Sequence, residues 1–379
     1  VFKAANLCFA LGYHRADTMM EDPPEVRERK IRLFWLLYVL DRGLCLRIGR
    51  ASVIQDYDIA VPLPTRGVTE KDRASKDLVR FWIGLSEVQG CVYQDLYSPR
   101  ALRQSGAVRA QQSEALAIEL KKIWAEHDNV GHVTGTSEDT HRMFMMADKV
   151  TLSSTLTLIL RAVPMAENQS LSCSQECVAA ARHAMQLHQI CALEYSKMVG
   201  NSVFSEYLHW TLLHTPFTPF LVIFSHTIET HSFEDLKLLS DFADTLRPAR
   251  GISSDIDKMY LVCDVFHRVA KLFLEATARS SAYATPAAVN DSTQLRRDLD
   301  PFMARIGINY AFDAGSNESS YCFPNPTSAG SSQGYNSFAS PGNMGEWFSE
   351  GQLITALLGN NHDFMDSTGM QAKNSEGMI

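Results

Sequence analysis

The chain has 379 residues, 45% hydrophobic and 21% charged, the mixture of a globular protein long enough for one large core or two ordinary ones. Its formal net charge of -8 repels phosphate, so composition argues against a duplex-binding surface on this chain alone. No uninterrupted apolar run reaches the ~18 residues that span a bilayer, and eight scattered cysteines suit free thiols in a reducing compartment rather than a disulfide framework.

The opening residues, VFKAANLCFALGYHR, enter in helical pattern without a cap, as the continuation of something longer. Asp22-Pro23-Pro24-Glu25 then predicts a helix start, with Asp22 as N-cap, proline in the first turn and Glu25 completing a capping box. This helix should run to about Ile48, roughly 36 Å at 1.5 Å per residue. Its apolar positions Ile31, Leu33, Phe34, Trp35, Leu36, Leu37, Tyr38 and Leu40 cover nearly the whole circumference, which predicts a central helix buried on all sides. Asp41 and Arg42 interrupt the run. A charge inside a buried helix must find a partner, and Arg47, Arg50, Asp56 and Asp58 stand within the same stretch. Either the pair pins the following segment against the helix, or it lies on a solvent stripe.

Gly49 is the expected stop, and Pro62 and Pro64 bar further helix, so residues 50–64 read as an extended connector. Further helices are predicted over 72–97, 106–126, 138–163, 173–199, 209–229, 233–246 and 254–280, the fourth of these seven with Ser172 and Gln175 as capping box. Strand alternation and fixed-period repeats are missing, which makes the fold class all-α. Residues 1–310 read as one helical domain. Residues 311–344, rich in Ser, Gly, Asn and Pro, read as a disordered linker. Residues 345–379 read as an acidic-aromatic tail, in which Trp347, Phe348, Ile354, Leu357 and Leu358 belong to a short amphipathic helix fit for partner binding.

Catalytic patterns are missing. The histidine pairs His127/His132, His183/His188, His209/His214 and His226/His231 are five apart, which turns paired rings roughly 140° away from each other on a helix. Cys173 and Cys177 stand four apart at a helix start, but no third ligand at metal spacing accompanies them, so buried free thiols are the simpler reading. No nucleophile elbow, dinucleotide loop or phosphate loop is present. The acid pairs Asp56/Asp58 and Glu234/Asp235 read as solvated faces or caps. These observations predict a protein that is not an enzyme, with no catalytic, cofactor-binding or metal-binding residues of its own. A pocket between helices, with residues 217–224 as its apolar wall, is the alternative binding reading.

The stretch RLFWLLYVLDRGLCLRIGR followed by IQDYDIAVPLP resembles the signature of the fungal-specific transcription factor domain, also called the xylanolytic activator regulatory region, the middle homology region of Zn2Cys6 zinc-cluster regulators. Phe34, Trp35, Tyr38, Asp41, Arg42, Gly49, Arg50, Asp56, Asp58, Ile59, Val61, Pro62 and Pro64 fall on that pattern. Ala51 and Ala60 depart from it, where proline and an acid are usual. The upstream LGYHR element and residues 216–246 are similar to further parts of the family. The resemblance implies a nuclear regulator of RNA polymerase II transcription, with DNA read by an N-terminal zinc cluster that these residues do not contain. Zinc is therefore implied only for that absent module. The implied partners are DNA through it, a second copy in a homodimer, coactivators through the C-terminal tail and a small-molecule inducer, with no membrane among them. The alternative is a stand-alone all-α protein that responds to a small molecule without binding DNA.

Overall fold

The computed structural model describes residues 1–65, 70–128, 138–165, 171–197 and 201–282. The expected linker, and the tail with Trp347, Phe348, Ile354, Leu357 and Leu358, lie outside the described residues. Among the described residues there are ten α-helices: α1 (Phe2–Ala10), α2 (Pro24–Ile48), α3 (Glu70–Val92), α4 (Gly106–Asp128), α5 (Glu138–Arg161), α6 (Gln175–Ser196), α7 (Asn201–Tyr207), α8 (Thr218–Thr230), α9 (Phe233–Leu246) and α10 (Ser254–Ala282). Among the described residues the only strand-like feature is one parallel bridge between Arg15 and Ala60. The all-α class stands.

α2 begins at Pro24 and ends at Ile48, but its start differs from the predicted capping box. Pro23 occupies the cap position and makes no side-chain cap bond. Asp22 accepts a hydrogen bond from Lys30 Nζ at 2.7 Å instead. Two successive prolines carry no N–H, which leaves fewer donors for a cap to satisfy. At the far end Gly49 adopts φ 67° and ψ 42°, with Arg50 N–H bonded to Cys45 O at 2.9 Å and Gly49 N–H to Leu46 O at 3.3 Å, a Schellman closure. The burial of α2 is also less complete than its apolar run predicts. Phe34, Trp35, Leu37, Tyr38, Cys45 and Leu46 are buried, whereas Leu33 is 53% exposed and Leu36 36%. Leu33 and Leu36 share one side of the helix with Arg29 and Arg32, and the packed neighbours occupy the other.

Other boundaries shift for local reasons. α3 passes into a π-helical turn, Tyr93–Tyr97. α6 is capped by Ser174, whose hydroxyl accepts the Cys177 N–H at 3.2 Å, two residues beyond the predicted Ser172. The single helix expected over 209–229 is broken. A π turn, Leu208–Leu212, ends the first part, Pro216 disfavours helix at Thr215, and Pro219 sits in the first turn of α8.

The helices enclose three apolar clusters. α1, α2 and the connector surround Phe34, Tyr38, Ile54 and Ile83. Leu85, Val92, Leu96, Leu120, Leu152 and Ile159 join α3, α4 and α5. Phe220, Phe224, Leu239, Phe266 and their neighbours fill the space among α5, α6, α8, α9 and α10. α5 thus belongs to two clusters. Within it His141–Arg161 is long and apolar enough to cross a membrane, but 56% of that stretch is buried inside the fold. Its apolarity is accounted for by a core helix covered on several sides.

Candidate functional site

After the left-handed turn at Gly49 the chain runs back along α2, so later connector residues meet earlier helix residues. Asp41 is fully buried. One of its carboxylate oxygens accepts the backbone N–H of Ile54 at 2.9 Å, and the other lies 3.6 Å from the Cys45 thiol that donates to it. Arg42, 4% exposed, donates through Nη2 to Asp56 Oδ1 at 2.6 Å. Tyr38 donates its hydroxyl to the same oxygen at 2.8 Å, and the Arg42 guanidinium lies over the Tyr38 ring, 5.0 Å from its centre. One turn earlier, Trp35 donates Nε1–H to the Pro62 carbonyl at 2.9 Å. Arg80 of α3 donates to the Pro64 carbonyl at 3.1 Å.

Positions 35, 38, 41 and 42 follow one another at three- and four-residue steps, so they form one stripe of α2. Trp35 holds Pro62, Tyr38 and Arg42 hold Asp56, and Asp41 holds Ile54, so the connector is held in reverse order. The charges are therefore enclosed between helix and connector rather than on a solvent stripe. Arg50 adds a contact to α1, its guanidinium 5.1 Å from the Phe2 ring centre. Asp58 is exposed and takes no part in the network. Burial, with Asp41 beside it, pushes the Cys45 thiol up to about 12. Burial likewise pushes the Tyr38 phenol up and raises Glu87, the latter helped by the nearby Asp56 charge. The Tyr38 phenol keeps its proton at neutral pH and so remains a donor.

Gly90 of α3 completes the arrangement, and sequence reasoning missed it. A Cβ at this position would overlap the Arg42 guanidinium, so any side chain there must displace the buried group. Arg47, one helical turn beyond Gly43 on α2, donates to the Thr215 carbonyl and lies 5.6 Å from the Phe217 ring centre, tying the helix to the far half of the molecule.

Two further buried networks were not legible beforehand. Asp235, read as a cap or solvated face, is fully buried. It accepts a bidentate pair from Arg182 at 2.7 and 2.8 Å and a bond from His226 Nδ1 at 2.7 Å. Burial pushes its carboxyl up, but the bonds from Arg182 and His226 outweigh that and hold it below the usual range. His188 is bonded through Nδ1 to the Tyr207 hydroxyl at 2.7 Å and through Nε2 to Thr245 Oγ1 at 2.8 Å. Thr245 already donates its hydroxyl proton to the Phe242 carbonyl at 2.7 Å. Nε2 therefore carries the His188 proton and Nδ1 accepts from Tyr207.

The wall expected at residues 217–224 is core: Phe217, Phe220 and Phe224 are all buried. The pocket beside Phe217 and Phe220 measures about 20 Å³, room for one water molecule, where an organic ligand would need about 300 Å³ or more. No group of three metal-capable side chains occurs among the described residues. The described cysteines are free thiols and no three of them gather at one place, so the described residues do not fit the six-thiolate zinc cluster.

Among the described residues the fold is all-helical, and its buried charges Asp41 and Arg42 fix a connector against α2. Residues 3–125 match the family model described as "Fungal specific transcription factor domain". The match contains α1 to α3, the pinned connector and nearly all of α4. Across 321 aligned residues the chain is 28% identical to an ABC-transporter-regulating transcription factor of Aspergillus fumigatus, covering 74% of this chain and 34% of that protein. It is 28% identical to an uncharacterized transcriptional regulatory protein of Schizosaccharomyces pombe, over 71% of this chain and 45% of the relative. A negative regulator of pleiotropic drug resistance from Candida glabrata is 29% identical over 144 residues, 37% of this chain and 14% of that protein. The chain thus spans between a third and a half of the length of the first two relatives. No solved structure matches.

Proposed function

We propose that this chain is the regulatory and effector portion of a fungal transcription factor that controls RNA polymerase II transcription in the nucleus. DNA is read in this proposal by a zinc cluster N-terminal to these residues, which agrees with the formal charge of -8 here. The observation that carries the reading is the pinned connector. The family match covers it, and the side chains that fall on the family pattern, Trp35, Tyr38, Asp41, Arg42 and Asp56, are those that hold it to α2. Relatives named as transcription regulators align over about three quarters of the chain. In the same proposal the acidic-aromatic segment 345–366 recruits coactivators, and homodimerisation or a small-molecule inducer sets its availability.

A reporter assay tests the effector role. Fused to a foreign DNA-binding domain, residues 345–366 should activate transcription, and a Trp347→Ala, Phe348→Ala, Leu357→Ala variant should not. Equal output from the two would remove the tail from the proposal. Silence of the full chain in every such fusion, in the presence of a working positive control, would remove the effector function altogether.

A further inference from the structure

α1 lies antiparallel to α2. Phe2 meets the Arg50 guanidinium beyond the end of α2, and Tyr13 lies beneath Lys30 near its start, with Nζ 5.4 Å from the ring centre. One flank of α1 turns toward the connector: Phe2 reaches Arg50 there, and Phe9 packs on the ring of His14, a residue whose carbonyl accepts the Ala60 N–H at 2.8 Å. Leu7 and Leu11 occupy the opposite flank, both more than half exposed. Leu33 and Leu36 also face away from the connector, which Trp35, Tyr38, Asp41 and Arg42 hold on the other side of α2. Leu33 is one turn from Leu37, which is buried in the same cluster as Ala5 and Cys8 of α1. The four exposed leucines therefore share one face of a touching helix pair. Single exposed apolar residues need no explanation, but a face of them marks a binding surface.

The face is also positively charged. Arg29 and Arg32 stand on the same side of α2 as the leucines, both exposed. Among the described residues neither meets a carboxylate at ion-pair distance, because Asp22 is engaged by Lys30 and Glu28 by Lys76. Exposed apolar positions on other helices lack such free cations. Lys197, one turn from Leu193 on α6, is paired with Glu194 at 2.6 Å, and Arg268, one turn from Leu272 on α10, is paired with Asp264 at 2.6 Å. On α4, Ile118 has Glu114 and Glu119 for neighbours.

The same chain carries a segment of opposite charge. Residues 345–358, GEWFSEGQLITALL, contain Glu346 and Glu350 and no Lys or Arg, together with Trp347, Phe348, Ile354, Leu357 and Leu358. Read as a helix, Trp347, Glu350, Ile354 and Leu358 follow one another at three- and four-residue steps, which puts an acid on the apolar stripe. We propose that residues 345–358 dock on the α1/α2 face, their apolar side chains on Leu7, Leu11, Leu33 and Leu36 and their acids against Arg29 and Arg32. This is the helix-on-apolar-face mode of recognition, with charge setting the register. Residues 283–344 are long enough for it: at ~3.3 Å per extended residue they outreach the roughly 50 Å across a fold of this size. Because both partners belong to one chain, modest affinity suffices.

Docking covers the apolar side chains that coactivator recruitment would use, so the two states exclude each other. In this the inference deepens the effector reading and rests on it. The docking itself is measured without a reporter. A tail that docks but activates nothing removes only the effector reading, and a tail that activates but docks nowhere removes only the docking.

The test is photocrosslinking in the full chain, with a benzophenone side chain replacing Leu36 and, as a control, replacing Ile118. At low protein concentration the probe at position 36 should join residues 345–366 in a product of one-chain mass, and the probe at 118 should not. Excess free peptide of residues 345–366 should compete that product away. The same peptide carrying Trp347→Ala, Phe348→Ala and Leu357→Ala should not. Arg29→Glu with Arg32→Glu should lower the yield several-fold, and adding Glu346→Arg with Glu350→Arg should restore it. A two-chain product, a crosslink from position 36 to any other segment, or a yield indifferent to the charge reversal overturns the proposal. Peptide competition keeps the native charges throughout, so it decides the matter by itself if the charge-reversed chains fold poorly.

Discussion

Removing Asp41 and removing Arg42 are different perturbations, although the two residues are adjacent and equally hidden. Asp41 is the acceptor for the buried N–H of Ile54, so Asp41→Ala strands that donor and leaves a small void, a loss of about 2–4 kcal/mol. Asp41→Asn keeps an acceptor and should cost about 1 kcal/mol. The partner of Arg42, Asp56, has a side chain 55% exposed and rehydrates when the guanidinium is removed, so the ion pair itself contributes on the order of 1 kcal/mol. Urea midpoints of the three variants should follow Asp41→Ala, then Arg42→Ala, then Asp41→Asn, from the largest loss to the smallest; a neutral Asp41→Ala would refute the pinning of the connector. Gly90 offers a sharper measurement. Gly90→Ala forces a methyl onto Arg42 and should destabilise the wild type by about 1–3 kcal/mol. In an Arg42→Ala background the clash is gone, and alanine should stabilise the helix by up to about 1 kcal/mol relative to glycine. That reversal of sign in a double-mutant cycle is a coupling no independent pair of sites would show. Asp41 and Arg42 drew notice in the sequence because charges break an apolar run. Gly90 did not, because a mid-helix glycine reads only as weakened helix until the side chain crossing it is known.

Helices themselves were legible wherever three- and four-residue periodicity was strong, as for α2, α4 and α9, whose predicted and observed ends differ by at most about two residues. What joins them was not. Asp235 follows Ser232 in the pattern of a first-turn acid at a capped helix, and Ser232 does cap α9. Its carboxylate nevertheless turns inward, because Arg182 arrives from α6, 53 residues earlier, and His226 from α8. Nothing in the spacing of such distant residues predicts that meeting. Arg182→Met removes the bidentate partner of a fully buried carboxylate, leaving His226 alone, and should cost about 3 kcal/mol in thermal or denaturant unfolding. The His188 chain joins α6, the end of α7 and α9 in the same way, with a pH consequence. Burial lowers the imidazole from its ordinary 6.5 to about 3, so the folded state binds fewer protons than the unfolded chain between those values. Its contribution is therefore intact above about pH 6.5 and is lost progressively as pH falls toward 3, at up to about 1.4 kcal/mol per pH unit. In an NMR titration the His188 ring should remain neutral at pH 5 while exposed imidazoles protonate. A His188 resonance titrating near 6.5 in the folded protein would contradict the burial and the tautomer deduced for it.

At the scale of the molecule, the family match ends at residue 125, but the packing does not. The cluster that contains Leu85, Val92, Leu96 and Leu120 is completed by Leu152, Leu158 and Ile159 of α5. Polar bonds cross the same seam: Trp82 Nε1 donates to Asp148 at 2.9 Å, the Tyr97 hydroxyl to the Leu158 carbonyl at 2.6 Å and the Ser113 hydroxyl to the Ile159 carbonyl at 2.8 Å. α5 in turn packs on α6 and α8, and Arg47 fastens the end of α2 to Thr215, next to α8. A polypeptide of residues 1–125 would expose the apolar faces of α3 and α4 together with two buried donors, Tyr97 and Ser113, whose acceptors lie on the missing helix. Losing three or more large apolar contacts at about 1.5–3 kcal/mol each approaches the whole stability of an ordinary domain, about 5–15 kcal/mol. Residues 1–125 alone should therefore show no cooperative denaturant transition, whereas residues 1–282 should unfold in a single one. Circular dichroism and intrinsic tryptophan fluorescence, followed together through the transition, provide the check. A cooperative transition in the shorter polypeptide would show that the matched stretch is a self-sufficient domain. Loss of cooperativity at that cut would mean that a change at the connector is felt through α5 by the C-terminal helices, as a regulatory domain requires of its scaffold.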